Sequence, residues 1–448
     1  MDLKGKKILV IGLGKTGIAV AGFLLERGAE AVLTDERPVT MFKEVLGDLS
    51  NHCEIRNHSP EALRGLDFVI PSPGVPPING ILAEALKRGI PIMSEVEVAS
   101  RFLKIPMVAV TGTNGKTTTT TLLGKVLSGS DKKVFVGGNI GEPLIGYVNT
   151  PQDDDYAVVE ISSFQLMYTD RFRPFVSILL NTTYDHIDYH GSFGDYRAAK
   201  ERIFMNQQEG DFAVLNADEP DSPALAERIR AEVLSFSLHK EVDPGVFLDR
   251  DVLKVCGVGK TDETYPVERI KLPGRHNIEN IMAVILAAKC CGSSHEAILR
   301  GIEDFKGIPH RIEFVGEKAG VAFYDDSKGT NVGAVIRALE SFSAPTLLLL
   351  GGRDKGGDFE RLIDLIGKKV KEVVIFGEAG KTIENKVGGA AKTTLAPTLR
   401  EAVKIAYSRA LRGDVVLLSP GCSSFDEFAN YAERGRVFQE TVRGLVDG

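Results

Sequence analysis

The stretch Thr111-Gly112-Thr113-Asn114-Gly115-Lys116-Thr117-Thr118 decides the fold, because it reads as a phosphate loop between a strand and a helix. Apolar residues 105–110 predict a buried strand before it, and residues 119–127 predict a helix after it. Such a turn points free backbone N–H groups at one spot, with the positive end of the helix dipole behind them. Lys116 adds a charge for a terminal phosphate, and the Thr117 hydroxyl is a ligand for Mg²⁺. The stretch therefore predicts that the chain binds a nucleoside triphosphate.

The loop departs from the longer form of this pattern at one position. The longer form has a glycine five residues before Gly115, and this chain has Val110 there. We therefore interpret the loop as the shorter variant G-T-x-G-K-T/S. A Gly-Lys-Thr triplet also arises by chance, but the strand and helix predicted around it favour the nucleotide-binding interpretation.

Length and charge limit the classes of protein to consider. A chain of 448 residues is expected to fold as two to four domains. Its 43% hydrophobic and 26% charged content is ordinary for a globular protein. The net charge of −7 argues against nucleic acid or an anionic membrane as the main partner. Any anionic ligand must therefore be held by local cationic pockets.

The cysteines and the N-terminus argue against secretion. The five cysteines form no C-x-x-C pair and are odd in number, so we expect reduced thiols and neither a disulfide framework nor a zinc site. Lys4, Lys6 and Lys7 precede the apolar segment 8–25 as in a signal peptide, but Lys15 and regularly spaced glycines interrupt that segment. We therefore predict a strand, turn and helix there, no membrane insertion, and a cytoplasmic protein.

Strands and helices alternate along the whole chain, which predicts an α/β fold with three domains. We place them at residues 1–94, 95–307 and 308–448. The first and third are expected to be Rossmann-like. The central domain is expected to be a P-loop mononucleotide-binding domain with a parallel sheet, plus a small antiparallel sheet between residues 233 and 270. Polar clusters follow many of the predicted strands, and ligands bind beyond the carboxyl ends of parallel strands.

A second glycine pattern lies near the N-terminus. Gly12-x-Gly14-x-x-Gly17 with Asp35 at the end of the next predicted strand fits the dinucleotide fingerprint, and taken alone it indicates NAD. More generally, the pattern predicts only that a diphosphate or a ribose binds at the N-terminus of a helix. Lys15 and Arg37 add donors for such a ligand. An NAD-dependent oxidoreductase therefore stays open as an alternative.

Several polar residues at predicted element ends are candidates for metal or nucleotide binding. Glu160 ends a strand about one βαβ unit after the phosphate loop, where a carboxylate can ligate Mg²⁺. His186, between Asp185 and Asp188, is a further candidate for a metal. Lys200 lies on an amphipathic helix, and from its spacing alone we expect it to be solvated. Asn277 precedes a helix predicted from residue 278, so helix capping and ligand binding are both open to it.

Taken in order along the chain, these motifs resemble the Mur ligase family, the ATP-dependent amide-bond ligases of peptidoglycan precursor synthesis. The resemblance covers essentially the whole chain. It is carried by the phosphate loop, Glu160-Ile-Ser-Ser-Phe-Gln165, Asp185-His186, Ala198-Ala199-Lys200, Gly274-Arg275-His276-Asn277 and Asp326-Ser327-Lys328. The segments 11–17, 351–359 and 418–428, and the lack of an Asp-Asn-Pro-Arg signature, are most like the family branch that adds D-glutamate.

The resemblance implies an activity and its substrates. It implies transfer of the ATP γ-phosphate to UDP-N-acetylmuramoyl-L-alanine (UDP-MurNAc-L-alanine), giving an acyl phosphate that the amine of D-glutamate attacks. It implies ATP and Mg²⁺, with two ions expected and Lys200 carbamylated. The first domain is expected to bind the UDP substrate, the second ATP, and the third D-glutamate. We expect a monomer with small-molecule substrates and no nucleic acid.

The resemblance also assigns site residues. The catalytic residues it implies are Lys116, Glu160, His186 and Lys200, and the metal ligands are Thr117, Glu160, His186 and Lys200. For ATP it implies Gly112, Thr113, Asn114, Gly115, Lys116, Thr117, Thr118, Asn277, Arg311 and Asp326. For the UDP substrate it implies Gly14, Lys15, Thr16, Asp35, Arg37, Gly74, Asn139, Ser162 and Gln165. For D-glutamate it implies Lys328, Thr330, Lys355, Ser419 and Phe425, where two lysines suit a dicarboxylic amino acid.

Other functions remain as alternatives at this stage. Another Mur-type ligase would use a different amino acid. A folylpolyglutamate synthase-like ligase shares the central domain but lacks the N-terminal glycine-patterned domain seen here. A non-enzymatic nucleotide-binding regulator would bind ATP without consuming it when amino acids are supplied.

Overall fold

The computed structural model describes residues 1–38, 42, 46–76, 79–185, 187–259, 263–354 and 356–446. Within these ranges the strands form three sheets that follow one another along the sequence. The chain divides into two compact units, one formed by Met1–Ile270 and Ile278–Asp304 and the other by Lys271–Asn277 and Phe305–Gly448. The first unit contains the first two sheets and the second unit contains the third.

The first sheet is parallel, with strands in the order β3-β2-β1-β4. Its strands are β1 (Lys7–Ile11), β2 (Glu30–Thr34), β3 (Glu54–Ile55) and β4 (Phe68–Pro71), with helices α1 (Lys15–Glu26) and α2 (Gly80–Lys87). Alternate residues of β1 belong to two different apolar clusters, Ile8 and Val10 to one and Leu9 to the other, so both faces of the strand are buried. A Cβ at Gly17 would collide with the carbonyl oxygen of Gly12, so the third glycine of the fingerprint lets α1 approach the turn closely.

The second sheet is mixed, with strands in the order β13-β12-β11-β10-β9-β8-β5-β7-β6. The elements in chain order are α3 (Glu95–Ser100), β5 (Met107–Thr111), α4 (Lys116–Ser128), β6 (Val134–Gly138), α5 (Leu144–Tyr147), β7 (Tyr156–Glu160), α6 (Ser163–Met167), β8 (Val176–Leu179), α7 (Ile187–His190), α8 (Phe193–Glu201), β9 (Phe212–Asn216), α9 (Ser222–Ala226), β10 (Glu232–Ser237), β11 (Gly245–Asp249), β12 (Val252–Cys256), β13 (Glu263–Pro266), α10 (Arg275–Cys290) and α11 (His295–Glu303).

The antiparallel strands expected between residues 233 and 270 are present as β11, β12 and β13. They continue the parallel sheet, because β11 pairs with β10 in register Ser235 to Gly245. Helix α10 begins at Arg275, three residues before the predicted start. Asn277 therefore lies in the first turn of the helix and is not its cap, and its side-chain amide donates to the Pro273 carbonyl at 2.7 Å.

The third sheet has the order β14-β15-β19-β16-β17-β18, with β14 antiparallel and the others parallel. Its elements are β14 (Glu313–Lys318), β15 (Val321–Asp325), α12 (Val332–Glu340), β16 (Thr346–Gly351), α13 (Ile363–Lys369), β17 (Val370–Phe376), α14 (Gly380–Val387), β18 (Lys392–Leu395), α15 (Leu399–Arg409), β19 (Val415–Gly421) and α16 (Tyr431–Val446). Leu348 and Leu350 of β16 pack in one apolar cluster and Leu347 and Leu349 in another, as expected for a strand covered on both faces.

The predicted α/β class is confirmed, and the sequence-predicted residues Asp35, Glu160 and Asp326 lie at or just beyond the carboxyl ends of β2, β7 and β15. Short 3₁₀ helices occupy Gly47–Asn51, Pro60–Leu63, Arg202–Phe204, Val267–Arg269 and Phe359–Leu362. The domain boundaries 1–94, 95–307 and 308–448 remain predictions. No helix in the described ranges has the length and apolar character needed to cross a bilayer.

Candidate active site

The phosphate loop connects β5 to α4 and is clamped by Asn181. The side-chain oxygen of Asn181 accepts from the Asn114 N–H at 2.9 Å, and its amide donates back to the Asn114 carbonyl at 3.2 Å. The Asn181 carbonyl also accepts from the Thr113 N–H at 2.9 Å. Gly115 precedes the helix with φ +85°, and a Cβ there would collide with the side chain of Asn280. The loop is therefore held in a conformation that glycine supports at this position.

Two lysine side chains meet at the carbonyl oxygen of Gly112. Lys116 Nζ donates to it at 2.8 Å and to the Thr113 carbonyl at 2.9 Å. Lys200 Nζ donates to the same Gly112 oxygen at 2.8 Å. Thr117 and Thr118 follow in the first turn of α4, at the N-terminal end that favours anions. The sequence-predicted phosphate-binding residues are thus together in one place.

The burial of Lys200 contradicts an expectation from the sequence. Its helix spacing predicted a solvated side chain, but Lys200 is 1% exposed. Burial lowers the pKa of the Lys200 ammonium well below its usual range, and the nearby charge of Lys116 lowers the pKa further, while Asp185 and Glu160 oppose the shift. The packing of α8 against the phosphate loop buries this side chain, and the periodicity of one helix does not report that contact.

Glu160 at the end of β7 has the properties of a cation ligand. Its Oε1 accepts from the Asn139 side-chain amide at 2.9 Å. Its Oε2 is buried and has no hydrogen-bond partner among the described residues. An orphaned buried carboxylate oxygen is costly, and a hard divalent cation such as Mg²⁺ would satisfy it. Glu160 and the Thr117 hydroxyl at the loop therefore fit Mg²⁺, while His186 lies outside the described residues.

A cavity of about 560 Å³ lies beside the N-terminal fingerprint turn. It brings together the predicted residues Gly14, Lys15, Thr16, Asp35, Arg37, Gly74 and Asn139. Lys15 Nζ donates to the Gly141 carbonyl at 2.7 Å and pairs with Glu142 at 3.0 Å, so it spans the cavity margin. Ser162 and Gln165 are buried and hydrogen-bonded to one another, and neither is among the residues that line the cavity.

The carboxylate of Asp35 is already engaged by protein donors. Oδ2 accepts from the Leu13 N–H at 2.7 Å and from Arg37 Nη2 at 3.1 Å. Oδ1 accepts from the Arg37 N–H at 2.9 Å and from Arg37 Nε at 3.0 Å. In a dinucleotide site the equivalent acid binds the ribose hydroxyls. Asp35 here holds the fingerprint turn and Arg37 instead, which argues against the NAD interpretation.

Sequence reasoning missed three further residues that line this cavity: Glu36, His58 and Asn79. The Asn79 amide donates to Glu36 at 3.1 Å and lies 3.0 Å from His58 Nε2. Asn79 also caps α2 through the Ile81 N–H, and that capping position is the one signal the sequence offered. His58 and Glu36 follow no motif.

In the second unit, the loop after β15 meets the carboxyl end of β19. Ser419 Oγ donates to Asp326 Oδ2 at 2.7 Å, and the Gly421 N–H donates to the Gly329 carbonyl at 2.8 Å. Burial raises the pKa of the Asp326 carboxyl to about 7. Lys328 and Thr330 lie on the same loop as Asp326, Phe425 is exposed beyond β19, and Lys355 lies outside the described residues.

Arg311 sits on strained backbone in the same unit. His310 has φ +64° and Ile312 has φ +46°, both in the left-handed region that non-glycine residues rarely adopt. His310 is anchored through Nδ1 to Asp325 Oδ2 at 2.7 Å. The strained turn is thus fixed by a buried polar contact, and it presents Arg311, which is exposed.

A buried arginine that the sequence analysis did not single out ties the two loops together. Arg434 is 0% exposed and donates to Ser327 Oγ at 3.0 Å, the Ser327 carbonyl at 2.9 Å, the Cys422 carbonyl at 3.0 Å and the Ser423 carbonyl at 3.2 Å. Its spacing on α16 gives no sign of this role. Arg434 therefore fixes the segment after β15 relative to the segment after β19.

The fold and these features define a phosphate-loop protein of the α/β class, with polar residues at the strand ends of two further sheets. Comparison with known proteins specifies the family. Residues 6–94 match the Mur ligase MurD-like N-terminal domain, residues 110–288 the Mur ligase middle domain, and residues 310–422 the Mur ligase glutamate ligase domain.

Full-length relatives agree with the domain matches. The UDP-N-acetylmuramoylalanine--D-glutamate ligase of Syntrophus aciditrophicus is 57% identical over 100% of this chain and 99% of its own length. The ligase of the same name from Geotalea daltonii is 46% identical, again over 100% of this chain and 99% of its own length.

Solved structures share the fold at low identity. The UDP-N-acetylmuramate-alanine ligase MurC of Thermotoga maritima matches with a TM-score of 0.59 and 21% identity, covering 98% of this chain and 99% of that one. The MurF ligase of Thermotoga maritima in complex with ADP matches with a TM-score of 0.58 and 18% identity, covering 100% and 96%.

The chain belongs to the Mur ligase family. This family consists of ATP-dependent enzymes that form amide bonds and generally use Mg²⁺. This result confirms the resemblance to the Mur ligases that the sequence motifs indicated. It also confirms the prediction of an ATP-dependent ligase.

Proposed function

We propose that the enzyme adds D-glutamate to UDP-MurNAc-L-alanine, with conversion of ATP to ADP and phosphate. The observation that carries this proposal is the full-length identity of 57% with a ligase of that name, on a chain with an intact phosphate loop. We further propose that it acts as a monomer in the cytoplasm. Among the family alternatives, a D-glutamate ligase fits best because the N-terminal match is to the MurD-like domain.

The first step is phosphoryl transfer. The L-alanine carboxylate of the UDP substrate attacks the γ-phosphorus of ATP, the bond to the β-phosphate oxygen breaks, and ADP leaves. The backbone N–H groups at the N-terminus of α4 and the Lys116 ammonium stabilise the charge on the transferred group, since such reactions depend on positioning and electrostatics. The N–H groups of Thr113 and Asn114 are held by Asn181 and shape the loop instead. Mg²⁺, when bound, supplies further charge neutralisation between the phosphates. Thr117 and Glu160 would hold it, with His186 and Lys200 as the other ligands that the family resemblance implies.

The second step is acyl transfer. The amine of D-glutamate attacks the carbonyl carbon of the acyl phosphate, the carbon–oxygen bond to phosphate breaks, and the nitrogen loses a proton as the amide forms. Lys328, Thr330, Ser419 and Phe425 of the second unit, together with Lys355, are proposed to hold D-glutamate. Asn277, Arg311 and Asp326 are proposed to contact ATP. Water must be excluded while the acyl phosphate exists, because it would hydrolyse it.

Lys200 is proposed to react with CO₂ at its Nζ, which loses a proton and becomes a carbamate. The reaction converts a buried cation near Lys116 into an anion that can ligate one of two Mg²⁺ ions. The burial of Lys200 and its contact with the phosphate loop support this proposal. With ¹³C-bicarbonate, a carbamate NMR signal should appear in the wild-type protein and vanish in Lys200→Ala, but persist in Lys125→Ala. A spectrum of the wild type without that signal would contradict carbamylation.

Steady-state phosphate release tests the function. With UDP-MurNAc-L-alanine and ATP present, D-glutamate should give turnover, and L-alanine, meso-diaminopimelate and L-lysine should not. Turnover with one of these three amino acids instead would move the enzyme to another branch of the family. ATP binding without turnover would favour a regulator, and absorbance change with NAD would favour an oxidoreductase.

A further inference from the structure

Helix α3 carries two buried glutamates, Glu95 and Glu97. Acidic residues in the first turn of a helix are ordinarily exposed and interact with the helix dipole. Here Glu95 is 1% exposed and Glu97 is 0% exposed. A buried carboxylate is expensive unless donors satisfy it, so the partners of each show its role.

Glu97 has a local structural role. Its carboxylate accepts from the N–H groups of Asp170 at 2.9 Å, Arg171 at 3.1 Å and Phe172 at 3.0 Å, and from Arg101. These contacts fix the turn after α6. None of these partners belongs to the proposed substrate-binding residues.

Glu95 instead connects two segments of the candidate site. Its Oε1 accepts from the Ile145 N–H at 2.7 Å, at the start of α5. Its Oε2 accepts from the Gln165 side-chain amide at 3.4 Å. Gln165 Oε1 in turn accepts from the Ser162 N–H at 3.0 Å and from Ser162 Oγ at 2.9 Å. A continuous hydrogen-bonded chain therefore runs from Ile145 through Glu95 and Gln165 to Ser162.

A second tie joins the same two segments. The Asn139 side chain donates to Glu160 Oε1 at 2.9 Å, and the Asn139 N–H donates to the Glu160 carbonyl at 2.8 Å. Residues 138–143 include four that line the N-terminal cavity, namely Gly138, Asn139, Gly141 and Pro143. The cavity loop and the segment 160–165 are thus fixed to each other at Asn139 and again at Glu95.

We propose that Glu95 is a positioning residue for the UDP-linked substrate, which holds the loop 138–145 against the segment 160–165. The inference rests on the proposed function and on the family resemblance, which assigns Asn139, Ser162 and Gln165 to the UDP-substrate site. Neutral N–H donors bind both oxygens of the Glu95 carboxylate. A different side chain at this position would preserve the connection only if it offered two acceptors at the same separation. Burial raises the pKa of the Glu95 carboxyl to about 7, which shows that the fold retains this group at a cost.

The test compares Glu95→Gln with Glu97→Gln in steady-state kinetics. Glu95→Gln keeps the shape of the side chain but places an N–H₂ group opposite a hydrogen-bond donor, so one of the two bonds is lost. The variant should raise the KM for UDP-MurNAc-L-alanine about tenfold and leave the KM for ATP within about twofold of the wild-type value. Glu97→Gln should lower the melting temperature without moving either KM. A KM for the UDP substrate that stays within about twofold of wild type in Glu95→Gln would overturn the proposal.

Two further variants separate the failure of this inference from failure of the proposed function. Gln165→Ala should raise the same KM; if it does and Glu95→Gln does not, Glu95 has no positioning role. If Gln165→Ala leaves the KM unchanged, the segment 160–165 does not serve the UDP substrate, and the proposed site itself is wrong. Should Glu95→Gln fail to fold, Glu95→Asp keeps the charge but shortens the reach, and the same KM shift is required of it.

Discussion

Lys116 and Lys200 donate hydrogen bonds to one carbonyl oxygen, that of Gly112, each at 2.8 Å. Positive charges on both side chains repel each other, which together with burial lowers the pKa of the Lys200 ammonium, and negative charge close by opposes this shift. Asp185 and Glu160 supply part of that charge. Bound phosphate would supply more, so the loop is electrostatically prepared for an anionic ligand.

Substitution of Lys116 tests the phosphate-loop assignment directly. Lys116→Ala should lower kcat/KM by about two orders of magnitude or more, roughly 3 kcal/mol, because it removes a charge that stabilises the transferred phosphoryl group. Phosphate release measures the effect. Lys125→Ala is a matched control, since Lys125 is an exposed cation on the same helix and should retain activity. Near-normal turnover of Lys116→Ala would exclude the assignment.

Removal of the Glu160 charge should change the metal requirement. Glu160→Gln replaces the buried carboxylate with a neutral amide. The Mg²⁺ concentration needed for half-maximal activity should therefore rise about tenfold. A magnesium titration at saturating substrates measures it. Glu209→Gln, at an exposed glutamate outside the candidate site, serves as the control. An unchanged titration midpoint in Glu160→Gln would show that Glu160 is not a ligand.

The Asp326 carboxyl predicts a pH dependence of stability. Its pKa lies near 7 in the folded state and near 4 when exposed, so between these values the folded protein binds more protons than the unfolded chain. The contribution of Asp326 to the free energy of unfolding therefore falls as pH rises from about 4 to about 7, by at most about 4 kcal/mol.

Asp326→Asn removes this titration. The difference in melting temperature, variant minus wild type, should increase as the pH rises from 5 to 8. Calorimetry measures this difference. The same difference for Asp364→Asn, at an exposed aspartate, should not vary with pH. A constant difference for Asp326→Asn would contradict the raised pKa.

Arg434 predicts a linked loss of stability and of amino-acid binding. Arg434→Lys keeps a charge, but its single nitrogen cannot replace both Nη1, which donates to the Ser423 carbonyl, and Nη2, which donates to the carbonyls of Ser327 and Cys422. A buried acceptor therefore loses its donor, and the protein should be destabilised by about 3 kcal/mol. The KM for D-glutamate should rise because both loops move. Chemical denaturation and kinetics measure the two effects. Arg436→Lys, exposed on the same helix, should change neither.

The local signals in the sequence predicted much of the fold. The phosphate loop, the strands that surround it and the polar clusters at strand ends all depend on short runs of residues. Boundaries were less exact, as for α10, because Arg275, His276 and Asn277 carry no strong start signal. Strands β10 and β11 are neighbours in the sequence yet pair in parallel, so periodicity alone could not show that the antiparallel strands continue the parallel sheet.

The candidate site, like the fold, was predictable from the sequence only in part. Thr117, Lys116 and Glu160 follow motifs, and the structure places them together. The burial of Lys200, the engagement of Asp35 and the contacts of Arg434 arise from tertiary packing, so their chemical environment has no sequence signature. For Lys200, only the family resemblance indicated a role.

The saturated carboxylate of Asp35 has a consequence for inhibitor design. Since Leu13 and Arg37 occupy all the acceptor positions described for it, a ribose mimic that seeks this acid would have to displace existing bonds and would gain little affinity. The bonds of Asp35 to Leu13 and Arg37 hold the turn in place, so a compound shaped to it meets a small ordering penalty. Medicinal chemistry on this pocket should therefore aim its polar groups at the exposed side chains of Glu36 and Lys15, and leave the buried Asp35 alone.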